Sequence, residues 1–193
     1  MAIEYELKFQ ATPERQQAVL AAVAGQECEY SMQTVYYDTP DGALSAKKYT
    51  LRKRRENDTY VCTLKTPEKG NGRGEWELPC REIGDALSPL VALGAPEDLL
   101  QLTQGGVQEI CGAKFTRITR TVVLEDGILE LAFDRGVLTG GGREMPLCEI
   151  EVELKEGLTS VADQYAKILA QKFGLVPEKH SKFRRALALA KGE

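Results

Sequence analysis

Acidic and basic side chains recur along this chain at a spacing of two residues. Glu4, Glu6 and Lys8 open it, and Glu149, Glu151 and Glu153 stand late in it. Between them come Arg52 and Arg54, Lys65, Arg73 with Glu75 and Glu77, Arg117, and Glu130 with Asp134. Carboxylates are hard oxygen donors of the kind that hold Mg²⁺ or Mn²⁺. Guanidinium groups grip phosphate bidentately, and lysines meet it as point charges. Acids for a metal beside bases for phosphates point to phosphoryl chemistry, provided that they face one space. Other chemistries have little to work with. There is one histidine, His180, and the cysteines (Cys28, Cys62, Cys80, Cys111, Cys148) include no Cys-x-x-Cys pair. A zinc site of the usual spacing and Ser-His-Asp or Cys-His catalysis are therefore disfavoured.

A period of two means strands. Ile3, Tyr5, Leu7 and Phe9 oppose the first charged set, and Ile150, Val152 and Leu154 oppose the last. Leu129, Leu131 and Phe133 oppose Glu130, Ala132 and Asp134, while Arg117 is in phase with Thr119 and Thr121. About eight strands follow from such runs, many joined by hairpin turns such as Glu56-Asn57-Asp58 and Glu125-Asp126-Gly127. Helices are predicted after Thr12-Pro13, over 83–104 with a break at Gly94-Ala95-Pro96, after Thr159-Ser160, and over 181–190. A solvated outer face explains any one strand. It does not explain all of them together, because two clusters of like charge on one face repel unless something positive lies between them. The expected fold is therefore α+β: a closed eight-stranded antiparallel β-barrel with a charged lumen, helices around Leu20, Leu90 and Ile168 packed outside, and one domain over 1–193.

The chain has 193 residues, 42% hydrophobic and 28% charged, enough for a sizeable core. A net charge of −4 gives no overall pull toward nucleic acid or an anionic membrane. No apolar run nears the roughly 20 residues of a membrane span, and no signal peptide precedes the first strand, so a cytoplasmic location is expected.

With these motifs in order, the sequence resembles the CYTH domains, or triphosphate tunnel metalloenzymes. Glu4-x-Glu6-x-Lys8 matches the family's opening triplet. Tyr37-Asp38-Thr39, Leu51-Arg52-Lys53-Arg54, Thr63-Leu64-Lys65, Arg73-Gly74-Glu75-Trp76-Glu77, Phe115-Thr116-Arg117, Ala132-Phe133-Asp134, Glu149-Ile150-Glu151-Val152-Glu153 and Ser181-Lys182 follow in its order. The resemblance implies a tunnel binding a triphosphate with Mg²⁺ or Mn²⁺. It makes Glu4, Glu6, Glu151 and Glu153 metal ligands, Asp134 and Glu149 their helpers, and Lys8, Arg52, Arg54, Lys65, Arg73, Arg117 and Lys182 the phosphate-binding groups. Phe133-Asp134-Arg135-Gly136 and Pro146-Leu147-Cys148-Glu149 are most similar to the inorganic triphosphatase branch. The expected activity is metal-dependent hydrolysis of tripolyphosphate to pyrophosphate and phosphate, with Lys8, Glu4 and Glu6 as the catalytic candidates. The partner is a small-molecule triphosphate, with neither nucleic acid nor membrane, and a homodimer is left open. Class IV adenylyl cyclase or thiamine triphosphatase activity, and a non-catalytic polyphosphate- or nucleotide-binding module, are the rival readings. One departure stands out: a basic residue expected two positions after Arg117 is Thr119, with Arg120 next. Either a bulge turns Arg120 inward, or the cavity has one cation fewer.

Overall fold

The computed structural model describes residues 5–67 and 73–193, Arg73 by its backbone alone. In chain order the elements are β1 (Tyr5–Gln10), α1 (Pro13–Ala22), β2 (Gln26–Asp38), α2 (Ala43–Ala46), β3 (Thr50–Glu56), β4 (Thr59–Pro67) and β5 (Arg73–Pro79). There follow α3 (Ile83–Ala92), α4 (Asp98–Leu102), β6 (Gln108–Leu124), β7 (Gly127–Gly140), β8 (Arg143–Gly157), α5 (Thr159–Phe173), β9 (Val176–Pro177) and α6 (Lys182–Lys191). Thr12 caps α1, its hydroxyl accepting from Arg15 N–H, with Pro13 next, as the sequence predicts. Gly25, just beyond that helix, serves a close approach. A Cβ there would lie 2.5 Å from the Thr121 carbonyl, so the missing side chain lets the start of β2 approach β6.

Among the described residues, nine strands form one antiparallel sheet in the order β5-β4-β3-β2-β6-β7-β8-β1-β9. The expected closed barrel is not formed. The sheet is open, with β5 at one edge and β9 at the other. Closure requires β1 to pair with β5, but part of the free edge of β1 is taken by β9: Phe9 pairs with Pro177, Gln10 with Val176, and Glu178 N–H donates to Lys8 C=O at 2.8 Å. Nothing in residue composition announced that two-residue strand. The sheet instead curls, so that side chains of β1 and β4, six places apart in strand order, line one cavity.

The alternation places the cores where the patterning puts apolar residues. On the outer face, α1 and α5 cover Phe9, Leu129, Leu131, Phe133, Ile150 and Val152, contributing Val19, Ala162, Ala166 and Leu169. Ile168, expected in that contact, is exposed, and Leu169 is the buried neighbour. A second outer core joins Leu51, Cys62 and Leu64 to Leu90 and Leu99 from α3 and α4. The inner face departs from the expectation of helices outside only. At one end of it, α6 lies inside the curl, packing Ala186, Phe183 and Leu187 against Tyr36, Ala113, Phe115, Leu138 and Leu147.

Candidate active site

Cross-strand register sets the charged side chains in rows on the inner face. Glu6 lies opposite Glu153, which lies opposite Glu130. One step along, Lys8 lies opposite Glu151. In the next row Glu149 lies opposite Asp134, which lies opposite Arg117. The facing strands contribute Arg52 and Arg54 from β3, Lys65 from β4, and Glu75 and Glu77 from β5. One cavity is lined by Glu6, Lys8, Arg52, Arg54, Lys65, Arg117, Glu151 and Lys182, with Thr34, Tyr36 and Phe115 at its floor. Every described candidate except Asp134, Glu149 and Glu153 thus reaches one space. Asp134 and Glu149 form its buried support, and Glu153 lines the adjoining mouth with Glu130 and Lys155. Glu4 and the side chain of Arg73 lie outside the described residues.

Asp134 and Glu149 are fully buried and Glu151 is 7% exposed. Buried charges persist only when paired. Arg117 answers two of them. It donates from Nε to Asp134 Oδ1 and from Nη2 to Asp134 Oδ2, both at 2.7 Å, and from Nη2 to Glu151 Oε2 at 2.6 Å. Lys182, from the first turn of α6, sits among all three: Nζ lies 2.7 Å from Asp134 Oδ2 and 2.8 Å from Glu151 Oε1, and contacts Glu149 Oε1. Arg185, one helical turn on, pairs with Glu149. Burial alone would raise the Glu151 carboxyl, but the Lys182 ammonium and Arg117 guanidinium outweigh it and hold Glu151 well below the usual range. Glu149 moves the other way: burial, with Glu151 close by, pushes it up against the pull of Lys182 and Arg185.

Across the cavity the cations are less well served. Arg52 reaches Glu75 at 3.5 Å, Lys65 reaches the same carboxylate at 3.2 Å, and Arg54 pairs with Glu56. The Nε groups of Arg52 and Arg54 are both buried without a hydrogen-bond partner. Burial lowers the Arg54 pKa, and the neighbouring Arg52 charge lowers it further. Buried donors of like charge, side by side and unsatisfied, are costly to the protein alone and suited to a polyanion.

Arg120 does not turn inward. It points outward, donating to the Leu20 and Val23 carbonyls at the end of α1 and pairing with Glu27 at 2.6 Å. The register of β6 with β7 is unbroken there, so Thr119 keeps the inner position and the cavity holds one cation fewer. Arg185 was not among the sequence candidates. Its signal is its spacing of three from Lys182, which puts both on one face of α6. Lys8 donates to Glu6 Oε1 at 2.9 Å. His180 is exposed, and Trp76 and Tyr5 pack on the outer cores.

The carboxylate oxygens of Asp134, Glu149 and Glu151 lie within 4.8 Å of one another, the one such group among the described residues and close enough to hold a metal ion. Among the described residues no helix is long and apolar enough to cross a membrane.

Comparison with known proteins follows the same lines. A family model described as "CYTH domain" matches residues 2–187. An inorganic triphosphatase from Haemophilus influenzae is 35% identical over 126 residues, 63% of this chain. The match is 35% of that protein, so the chain spans about a third of the length of this curated relative. Among solved structures, the PH1819 protein of Pyrococcus horikoshii superposes with a TM-score of 0.64 at 22% identity, over 97% of this chain and 99% of that one. A Hippeastrum protein, HpAC1, described as an adenylyl cyclase candidate with a dominant triphosphatase activity, gives 0.66 at 20% identity over 100% and 97%. At these identities the solved structures speak for the fold alone.

Proposed function

Because the chain belongs to the CYTH domain family, we propose that it hydrolyses a linear triphosphate, inorganic tripolyphosphate first, to pyrophosphate and phosphate with the help of Mg²⁺ or Mn²⁺. The carrying observation is the pair Arg52 and Arg54, with buried Nε groups lacking a partner, set across one cavity from acidic strands β1 and β8. Guanidinium donors preorganised toward non-bridging oxygens lower the barrier as charge develops on them. Lys8, Lys65 and Arg117 line the same cavity and add point charges along the phosphates. The inorganic triphosphatase relative supports the choice of substrate.

A divalent ion is assigned to the carboxylate row beside the central cavity. The group of Asp134, Glu149 and Glu151 is already neutralised by Lys182, Arg117 and Arg185. Glu6 and Glu153 face each other across β1 and β8 with Glu130 beyond; Lys8 pairs with Glu6 and Lys155 with Glu130 and Glu153, and three carboxylates against two ammonium groups leave net negative charge for a cation to meet. Glu6 and Glu153 would hold the ion, and bound there it would supply Lewis-acid neutralisation of phosphate oxygens. Lys8 is used as a donor to Glu6, which leaves a carboxylate, Glu6 first, as proton acceptor for the attacking water. A cytoplasmic protein acting on a soluble anion completes the reading.

A phosphate-release screen over tripolyphosphate, ATP and thiamine triphosphate, each with Mg²⁺, Mn²⁺ or chelator, tests it. Tripolyphosphate should be cleaved fastest, and only with metal. Cyclic AMP and pyrophosphate from ATP, with no phosphate from tripolyphosphate, would overturn it.

A further inference from the structure

A helix packed on a sheet ordinarily buries an apolar stripe. α1 buries two residues, Gln16 and Val19, and the first is an amide only 2% exposed. A buried amide is costly unless its hydrogen bonds are made. Here both N–H groups and the oxygen are in use. Gln16 Nε2 donates to the Asp134 carbonyl and to the Glu149 carbonyl, both at 3.1 Å, and Oε1 accepts from Arg135 Nε at 3.0 Å. These partners fix which way the amide lies, since only its N–H groups can face two carbonyls and only its oxygen can face a guanidinium. Arg135 Nη2 donates in turn to the Pro13 carbonyl at 3.1 Å, closing the link at the start of α1.

The two carbonyls belong to a particular rung of the sheet. Asp134 on β7 lies opposite Glu149 on β8, and both carboxylates are fully buried on the face away from α1. Asp134 holds Arg117 by two hydrogen bonds at 2.7 Å and lies 2.7 Å from the Lys182 ammonium, which also contacts Glu149. Arg117 and Lys182 both line the central cavity. Like charges directly opposite each other push their strands apart. An amide bonded to both carbonyls from behind opposes that push, and it does so most when phosphate oxygens compete for Arg117 and Lys182. Resting on the triphosphatase reading of the central cavity, we infer that Gln16 is a positioning residue for that reaction, bridging the Asp134 and Glu149 backbone so that their carboxylates aim Arg117 and Lys182 at the phosphates. Its action is on aim, not on charge. Without it every cation of the cavity remains, so ground-state attraction for the anion persists. What is lost is the alignment of those cations as charge builds on the non-bridging oxygens.

The test compares Gln16→Leu, which keeps the bulk and loses every bond, with Gln16→Glu, which keeps the acceptor for Arg135 and loses both donors. Val19→Ala is the control: it loosens the same helix face and touches neither carbonyl. Both Gln16 variants should lower kcat for tripolyphosphate about five- to thirtyfold, the factor that one or two hydrogen bonds carry, with KM within about twofold. Val19→Ala should lower the melting temperature and keep kcat within about twofold of the parent. If kcat follows the melting temperature across the three variants, or Gln16→Glu turns over like the parent, the inference falls. Gln16→Leu suits a buried position and carries the decision should Gln16→Glu fail to fold. A second readout needs no substrate. The Arg117 Nε–H proton, bonded to Asp134 at 2.7 Å and assigned in NMR spectra by its loss in Arg117→Lys, should exchange with solvent faster in Gln16→Leu and unchanged in Val19→Ala. The expected acceleration is again about five- to thirtyfold. If the parent cleaves no triphosphate, the activity reading fails, and this exchange rate then decides the role of Gln16 by itself. Equal rates in the parent and in Gln16→Leu overturn it.

Discussion

Arg52 and Arg54 stand two residues apart on β3, project the same way, and leave both Nε groups buried and unsatisfied. A protein selected only for stability has little reason to keep such a pair, so removing one should cost activity more than fold. Arg54→Ala is expected to lower kcat for tripolyphosphate about 10²–10³-fold with an unchanged or slightly raised melting temperature; near-normal turnover would remove Arg54 from the site. Lys182 is the opposite case. Its ammonium is the shared partner of three buried carboxylates, so Lys182→Met should destabilise the fold by about 3–5 kcal/mol, read by urea unfolding. It should also make the melting temperature rise more steeply with Mg²⁺ than the parent's, since the vacated centre keeps its acids. A variant as stable as the parent would mean that Asp134, Glu149 and Glu151 do not depend on that ammonium. At this scale much of the site was legible, because alternation in a strand assigns each side chain to a face: Glu6, Lys8, Arg52, Arg54, Lys65, Arg117 and Glu151 share the cavity that their phase predicts. Arg185 was not, because a helical face reveals its partner only once the helix is docked.

Helices and strands show where local pattern stops being informative. The hairpin of β6 and β7 was legible from its Glu125-Asp126-Gly127 turn, and so was the capped start of α1. Which face α6 would cover was not: its apolar residues suit either side of the sheet, and the choice fell to the inner face, where Phe115, Leu138 and Leu147 interrupt the charged rows. Gly136 carries the closest approach within this layer. A Cβ there would lie 2.1 Å from the Lys114 carbonyl and 2.5 Å from Phe115 Cα, so β6 would have to move away from β7. Gly136→Ala is therefore expected to cost about 1–3 kcal/mol, or more if the strands cannot shift. It should also reduce turnover, because Asp134 and Arg117 pair across the same two strands. Unfolding and kinetics measured on one preparation check both. A neutral result would show that the two strands separate freely, which their buried packing against α6 argues against.

The whole molecule is an open, curled sheet whose two halves carry complementary tasks: cations on β3 and β4, carboxylates on β1 and β8, and β6 supplying Arg117 between them. Closure was inferred from charge compensation, and compensation was the right demand with the wrong solution. Lys182 and Arg185, arriving on α6 from the C-terminal end, neutralise the acids from inside, while β9 takes part of the edge that a barrel would have needed. Among the described residues β5 and β1 do not pair, and an anion shared by the halves can hold them together across the cavity. Tripolyphosphate at about 100 times its Kd should then stabilise the folded state by about 2.7 kcal/mol. For a domain of this size that is a rise in melting temperature of roughly 5–10 °C. Because the ligand spans the gap, amide protection should increase in β3, β4 and β1 together, and least in β7, which is already enclosed between β6 and β8. A rise in melting temperature with protection confined to β3 and β4 would mean that the anion rests on the arginines alone, and that the acidic strands take no part in holding it.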